Sequence, residues 1–210
     1  MERRKRLVKQ RRQERLQQKK QRILDASLRV FAAKGYQLSR IADIAKEANV
    51  AYGLVYRYFN SKDRLLMEIF RLEWDRLVKE VKAIADGNQN ARDKLLSVAG
   101  AMFNSFARDP KMASLVVRDV YRNIQIFGRE RIEIMEEPLR IIAQVMREGQ
   151  KKGLFDPDID ASLATVIFYG AIDQIITGWA LNMFPLAGAV NVELARKMVE
   201  RVLVNSLEKP

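Results

Sequence analysis

The 210-residue chain contains no cysteine and no histidine. Without cysteine there is no disulfide, no thiolate metal ligand and no thiol nucleophile. Without histidine the chain lacks the commonest general base, the commonest metal ligand and the usual pH switch. An enzyme would have to work through carboxylates such as Asp119, Glu136 or Asp173, and no pattern sets two of these on one face beside a nucleophile. We therefore expect no catalytic residue, no metal and no cofactor.

Long apolar runs are also missing. The most apolar stretch, Ala161 to Ile172, stops at Asp173 and Gln174, and the next uncharged stretch is broken by Gly178, Pro185 and Gly188. Neither supplies the roughly 20 apolar residues of a bilayer helix. The N-terminus is charged and has no apolar segment of the secretory kind. The expectation is a cytoplasmic protein with no membrane partner. Its apolar helix should be buried among other helices.

What is present is basic and unevenly so. Hydrophobic residues make up 48% and charged residues 30%, a globular balance, and the net charge is +12. Residues 1–22 carry eleven of the basic side chains against Glu2 and Glu14, a net of nine, which leaves three for the rest of the chain. A DNA duplex or another polyanion is the natural partner of such a run. Three readings fit it: a solvated helical extension, an arm that meets phosphates or the minor groove, or a membrane-surface segment. Its apolar residues Leu7, Val8 and Leu16 make too narrow a face for stable interfacial insertion.

Helical periodicity dominates the rest and strand alternation is almost absent. Between the punctuation at Gly35, Asn49, Asn60-Ser61, Gly87 to Asn90, Asp109-Pro110, Gly128, Gly153, Pro157 and Pro185 to Gly188, helices are expected over residues 20–34, 39–47, 51–58, 61–86, 91–108, 111–127, 129–152, 160–183 and 191–207. The first three are short and the others long. The expected fold is all-α, with a basic extension (1–19), a three-helix helix-turn-helix domain (20–65), and a six-helix ligand-binding and dimerisation domain (66–210).

The small head carries the chemistry. Ile23, Ser27, Leu28 and Phe31 line one face of the first helix, and Gly35 stands where a helix end favours a left-handed residue. Ser39 is a suitable N-cap for a helix whose inner face is Ile41, Ile44, Ala45 and Ala48. Asn49 can adopt positive φ in the turn that follows. In the next helix Val50, Val55 and Phe59 can face inward, which leaves Tyr52, Gly53, Leu54, Tyr56, Arg57 and Tyr58 toward solvent. Hydroxyls there could meet phosphates, and flat rings could meet thymine methyls in a major groove. The plainer alternative is that Tyr56 and Tyr58 pack on the first helix.

The stretch from Ile44 to Leu65, together with Ile23 to Tyr36, resembles the DNA-binding signature of the TetR family of repressors. That resemblance implies a homodimer that binds a palindromic double-stranded DNA operator and releases it on binding a small, hydrophobic effector. It assigns Ser39 and Arg40 to backbone or base contacts at the start of the second helix. Ala51, Tyr52, Gly53 and Leu54 match base-reading positions. Tyr56 and Lys62 match phosphate contacts, and Tyr58 lies on the same edge. Two residues depart from the pattern: Asn49 stands where glycine is usual, and Ala51 where serine or threonine is usual, so more of the specificity falls to Tyr52.

The body says less. Residues 160–179 are apolar on more than one face, and Val192, Leu194, Ala195, Met198, Val199, Val202 and Leu203 form a second stripe. A dimer built from these two helices should bury the faces around Ile172, Ile176, Val199 and Val202. The segments Gly149 to Asp160 and Gly170 to Asn182 also resemble the regulatory domain of fatty-acid-degradation repressors within the family, whose ligands are long-chain acyl-CoA thioesters. Candidate ligand residues are then Met102, Phe103, Phe106, Leu115, Tyr121, Tyr169, Phe127 and Trp179, with Arg118, Arg122 or Arg129 for an anionic end. Residue by residue, ordinary core is the competing reading of each.

Overall fold

The computed structural model describes residues 2–115, 117–118, 124–183 and 191–208, with backbone alone for 2–5, 7–9, 12 and 124–135. Its helices are α1 (Glu2–Lys34), α2 (Ile41–Ala48), α3 (Tyr52–Phe59), α4 (Lys62–Ala85), α5 (Ala91–Arg108), α6 (Pro110–Leu115), α7 (Ile124–Lys151), α8 (Ala161–Leu181) and α9 (Val192–Val199). After α9 the chain continues through a widened turn over Glu200–Val204 and a tight one over Asn205–Leu207. Among the described residues the only strand-like pairing is a single bridge between Phe155 and Glu208. The all-α expectation holds.

Asparagine sets several of these boundaries. Asn90 and Asn191 each accept a hydrogen bond from a backbone N–H three residues on, which satisfies an orphan donor of α5 and of α9. Asp160 does the same for α8 at 2.7 Å from Leu163 N. Asn49 (φ 53°) and Asn182 (φ 51°) end α2 and α8 in the left-handed conformation, which asparagine tolerates because its short side chain bonds locally.

Several expected boundaries shift. The first helix reaches back through the basic run to Glu2 instead of starting at residue 20. Gly128, expected to be a break, lies inside α7, as does Pro138; an interior glycine weakens a helix by about 1 kcal/mol relative to alanine but does not stop it. The helix expected over 111–127 is represented by α6 and the start of α7, and residues 116 and 119–123 between them are outside the described residues. Ser39 is not the N-cap of α2; that position is Arg40, whose N–H donates to the Asp43 carboxylate at 3.1 Å. Finally, α8 runs past Asp173 to Leu181 and is, by length and composition, apolar enough to cross a membrane.

The chain divides into two compact units, Met1–Phe70 and Arg71–Pro210. The division falls inside α4, a few residues beyond the Leu65 boundary that the sequence suggests. In the first unit Ile23, Leu24, Val30 and Phe31 of α1, Ile44 of α2, Val55 and Phe59 of α3, and Leu65 and Leu66 of α4 are all buried, at 8% exposure or less. In the second, α5 is central: Leu95, Val98, Ala99 and Phe103 are fully buried against Ile142 and Val145 of α7, Phe168 and Ile172 of α8, and Val199 of α9. Gly149 belongs to this packing. A Cβ there would lie 2.2 Å from the Phe155 ring, so only glycine lets the 153–155 turn fold back on α7.

Candidate nucleic-acid interface

Two short helices and one turn make the surface. Val50 N donates to Ala45 O at 3.0 Å and Asn49 N to Lys46 O at 3.1 Å, which closes the α2–α3 turn around the left-handed Asn49. From there α3 buries Val55 and Phe59 in the first unit and presents its other face outward.

On that outer face Ala51, Tyr52, Gly53, Tyr56 and Arg57 are exposed, and Leu54 and Tyr58 are half-buried. Ala51 is the N-cap of α3 and supplies no side-chain hydrogen bond, as expected of alanine in place of a hydroxyl residue. A Cβ on Gly53 would meet nothing within 4 Å, so the glycine leaves an open approach to the helix backbone. Tyr52 and Tyr56 are 52% and 41% exposed, their hydroxyl oxygens 3.4 Å apart and their ring centroids 5.3 Å apart, edge to face. Tyr58 bends back toward α1, where its hydroxyl donates to Leu16 O at 3.4 Å. Among the described residues, Tyr58 is the one of the three tyrosines that bonds the first helix, as the packing alternative required.

The other candidates lie at the entrance to α2 and the start of α4. Arg40 is exposed. Ser39 is 3% exposed, and its hydroxyl donates to Gly35 O at 2.6 Å, turned into the fold. Lys62 is half-buried, and its ammonium donates to Tyr36 O at 2.9 Å, Ser39 O at 3.1 Å and Gln37 O at 3.3 Å while lying 4.4 Å from the Tyr36 ring centroid. The Tyr36 hydroxyl in turn bonds the Asp63 carboxylate. Leu38, not singled out in the sequence because it lies outside any periodic segment, is 79% exposed beside Arg40. At Asp43, a hydrogen bond from Lys34 and another from Arg40 N–H hold the carboxyl below its ordinary pKa, so it stays charged at the N-terminus of α2, where negative charge is favoured.

The ligand candidates scatter. Met102 and Phe103 lie in the core of the second unit, and Tyr169 packs half-buried against it. Phe106 and Phe103 flank Trp179 at centroid distances of 5.6 and 5.5 Å. Leu115 is buried and Arg118 exposed. Tyr121 and Arg122 lie outside the described residues, as do the side chains of Phe127 and Arg129. A cleft of ≈ 210 Å³ between the N-terminal part of α8 and the turns after α9 is lined by Ile159, Leu163, Ile167 and Leu203 among others, and by none of the candidates.

Residues 23–69 match the model for bacterial regulatory proteins of the tetR family, and residues 70–195 match the model for the C-terminal region of YsiA-like proteins. The chain belongs to the tetR family. It is 30% identical over 161 residues to the fatty acid metabolism regulator protein of Bacillus subtilis (strain 168), covering 76% of this chain and 82% of that protein. It is 25% identical to the HTH-type transcriptional repressor KstR2 of Rhodococcus jostii (strain RHA1), over 90% of each. Among solved structures, the transcriptional regulator FadR from Bacillus subtilis in complex with stearoyl-CoA superposes with a TM-score of 0.76 at 29% identity, over 90% of this chain and 99% of that one. FadR from Bacillus halodurans gives 0.74 at 26%, over 91% and 97%. This tetR-family chain is a DNA-binding transcriptional regulator, as its relatives are, and not an enzyme.

Proposed function

We propose that this regulator is a cytoplasmic homodimeric repressor that holds an inverted-repeat operator through its two copies of α3 and releases it on binding a long-chain acyl-CoA. The ligand class is carried by one observation: the likeness over 90% of the chain to the FadR that holds stearoyl-CoA. Phe103 and Phe106, on either side of Trp179, support it with an apolar surface suited to an alkyl chain. Arg118, exposed, and Arg122 offer cations for a phosphate-bearing head.

Base reading falls to Ala51, Tyr52, Gly53 and Leu54, with Arg40 and Tyr56 on the flanking backbone and Tyr58 on the same edge. Ser39 and Lys62 act through the loop they hold. Two copies of α3 must stand about one DNA turn apart to reach both half-sites, which is why the reading needs a dimer. Since α4 starts beside the DNA-facing helices and continues into the second unit, it is the covalent route by which the ligand state reaches α3.

The test is a duplex recovered by the protein from a randomised pool, then titrated as the complex with acyl-CoA of increasing chain length, with free CoA and free fatty acid as controls. The expected result is loss of duplex affinity with the long thioesters alone, and a reciprocal loss of thioester affinity when DNA is present. Unchanged duplex affinity across the series would discard the ligand class and leave the DNA assignment standing.

A further inference from the structure

The arm ahead of the DNA-binding helices is a helix without a core. From Glu2 to Lys19 α1 extends about 27 Å at 1.5 Å per residue. Every described side chain in that span, Arg6, Gln10, Arg11 and Gln13 through Lys19, is exposed. None of its described side chains is buried. Its cations also crowd the N-terminal end of a helix, where the macrodipole already carries positive charge. A free helix of this composition is electrostatically frustrated, and an anionic partner relieves both terms at once.

Along Gln10 to Arg22 most of the cations share one side of α1, although nearer the N-terminus Arg3 and Arg6 fall on the glutamine side. Arg11, Arg15, Lys19 and Arg22 recur at i, i+4, i+8 and i+11, one side of a 3.6-residue period, whereas Gln10, Gln13, Gln17 and Gln21 recur at i, i+3, i+7 and i+11 on another side, with Glu14 among them. The cationic row is also aimed. Arg22 at its C-terminal end donates to Ala48 O at 3.1 Å, the last residue of α2, and Arg29, seven residues further along α1, pairs with Glu47 at 2.7 Å. The row therefore lies on the side of α1 that meets the turn leading into α3. By contrast Lys20, off the row, is engaged by Glu68. Among the described residues Arg11, Arg15 and Lys19 have no such acidic partner.

We propose that residues 2–22 form a helical arm whose Arg11, Arg15 and Lys19 contact the phosphates of duplex DNA flanking the site read by α3. Such contacts add affinity and register but no base information. This rests on the DNA-binding reading of α3, and the experiment separates the two.

The measurement compares the full chain with an Arg11→Gln, Arg15→Gln, Lys19→Gln variant; glutamine keeps helix propensity, and the three side chains are exposed, so the fold is expected to survive, with an unchanged thermal melt as the control. Each protein is titrated against the duplex selected by the wild type and against a scrambled duplex, across a salt series. Each phosphate that the variant no longer neutralises should flatten the slope of log K against log salt by roughly 0.9, so the variant's slope should fall by between about 1 and about 3 per arm. Affinity should drop on both duplexes by the same factor, with the ranking of sequences unchanged. An unaltered slope overturns the arm, as does a variant that no longer binds vesicles of anionic phospholipid while its DNA binding is untouched. If the wild type recovers no sequence from the pool, it is the reading of α3 that fails.

Discussion

Tyr52 and Tyr56 stand one turn apart on α3 with their hydroxyl oxygens 3.4 Å apart and their rings edge to face, both open to solvent. Two large rings on the outer face of a two-turn helix contribute little to the fold, in which α3 buries Val55 and Phe59. The shared hydrogen bond, with a smaller contribution from desolvation, raises the Tyr52 pKa above its ordinary 10.0. Tyr52→Ala should weaken binding to the selected duplex by about 1–3 kcal/mol and level its base preference. Tyr56→Phe should weaken all duplexes alike, since a phosphate contact carries no sequence information. Competition against duplexes changed one base pair at a time reads both effects, and an unchanged ranking for Tyr52→Ala would move the reading face elsewhere.

Lys62 separates two roles that the sequence cannot distinguish. Its ammonium has three donors, and three carbonyls, of Tyr36, Gln37 and Ser39, occupy them. Lys62→Met should therefore loosen the α1–α2 loop, with a stability loss of about 2 kcal/mol for charged hydrogen bonds of this kind, or about 4–8 °C in Tm for a chain of this size. DNA affinity should fall with it because Arg40 and Leu38 hang from the same loop. A lysine acting only on phosphate would instead leave Tm unchanged and lower the salt slope.

What was legible in the sequence is what local rules control. Gly35 (φ 76°) and Asn49 (φ 53°) end helices as their backbone freedom predicts, and the inward faces of α2 and α3 follow from periodicity. The partners of Ser39 and Lys62 were not legible, because a hydroxyl or an ammonium on a loop edge reads as free until the loop's carbonyls are placed. Nor was the orientation of α8, which is apolar nearly all round and so lacks the stripe that tells core from interface. The Gly149 to Phe155 segment, notable in the sequence only by resemblance, has its reason in the Phe155 ring packed on Gly149.

The second unit holds a buried charge whose two ends should respond unequally. Lys94, 4% exposed, donates to Glu148 at 3.0 Å, and Glu148 also accepts from Lys152 at 2.6 Å. Lys94→Met should be near neutral, since Glu148 keeps Lys152. Glu148→Gln strands the buried ammonium and should cost roughly 3 kcal/mol. The bonds from Lys152 and Lys94 hold the Glu148 pKa below its ordinary 4.5. A depressed carboxylate stabilises the fold above its unfolded pKa and ceases to as pH falls through the folded one. Wild type should therefore lose stability on acidification below about pH 4.5, with a shallower dependence in Glu148→Gln, as denaturant melts across that range would record.

The last prediction concerns which face of α8 would meet a second subunit in the proposed homodimer. The sequence pointed to Ile172, Ile176, Val199 and Val202, but Ile172 and Val199 are at 0% and 2% exposure in the chain's own core, and Ile176 packs against it. On a helix apolar nearly all round, the opposite face reads equally well in the sequence. The uncovered face of α8 is Leu163, Val166 and Ile167, at 60%, 57% and 54% exposure, and α9 with the turn beyond it adds Leu194, Met198 and Val202, four residues apart. Six large apolar side chains left exposed on these two elements suit an interface, and a second copy of the same face would cover them. Ile167→Glu or Met198→Glu should give a folded monomer, since an unpaired charge in a dry interface costs about 3–5 kcal/mol. Ile172→Ala should do the reverse, lowering stability by about 2–5 kcal/mol through a core cavity while leaving association intact. Sedimentation velocity beside thermal melts distinguishes the two classes. If Ile172→Ala dissociated the protein and Ile167→Glu did not, the interface would lie on the face that the sequence first suggested.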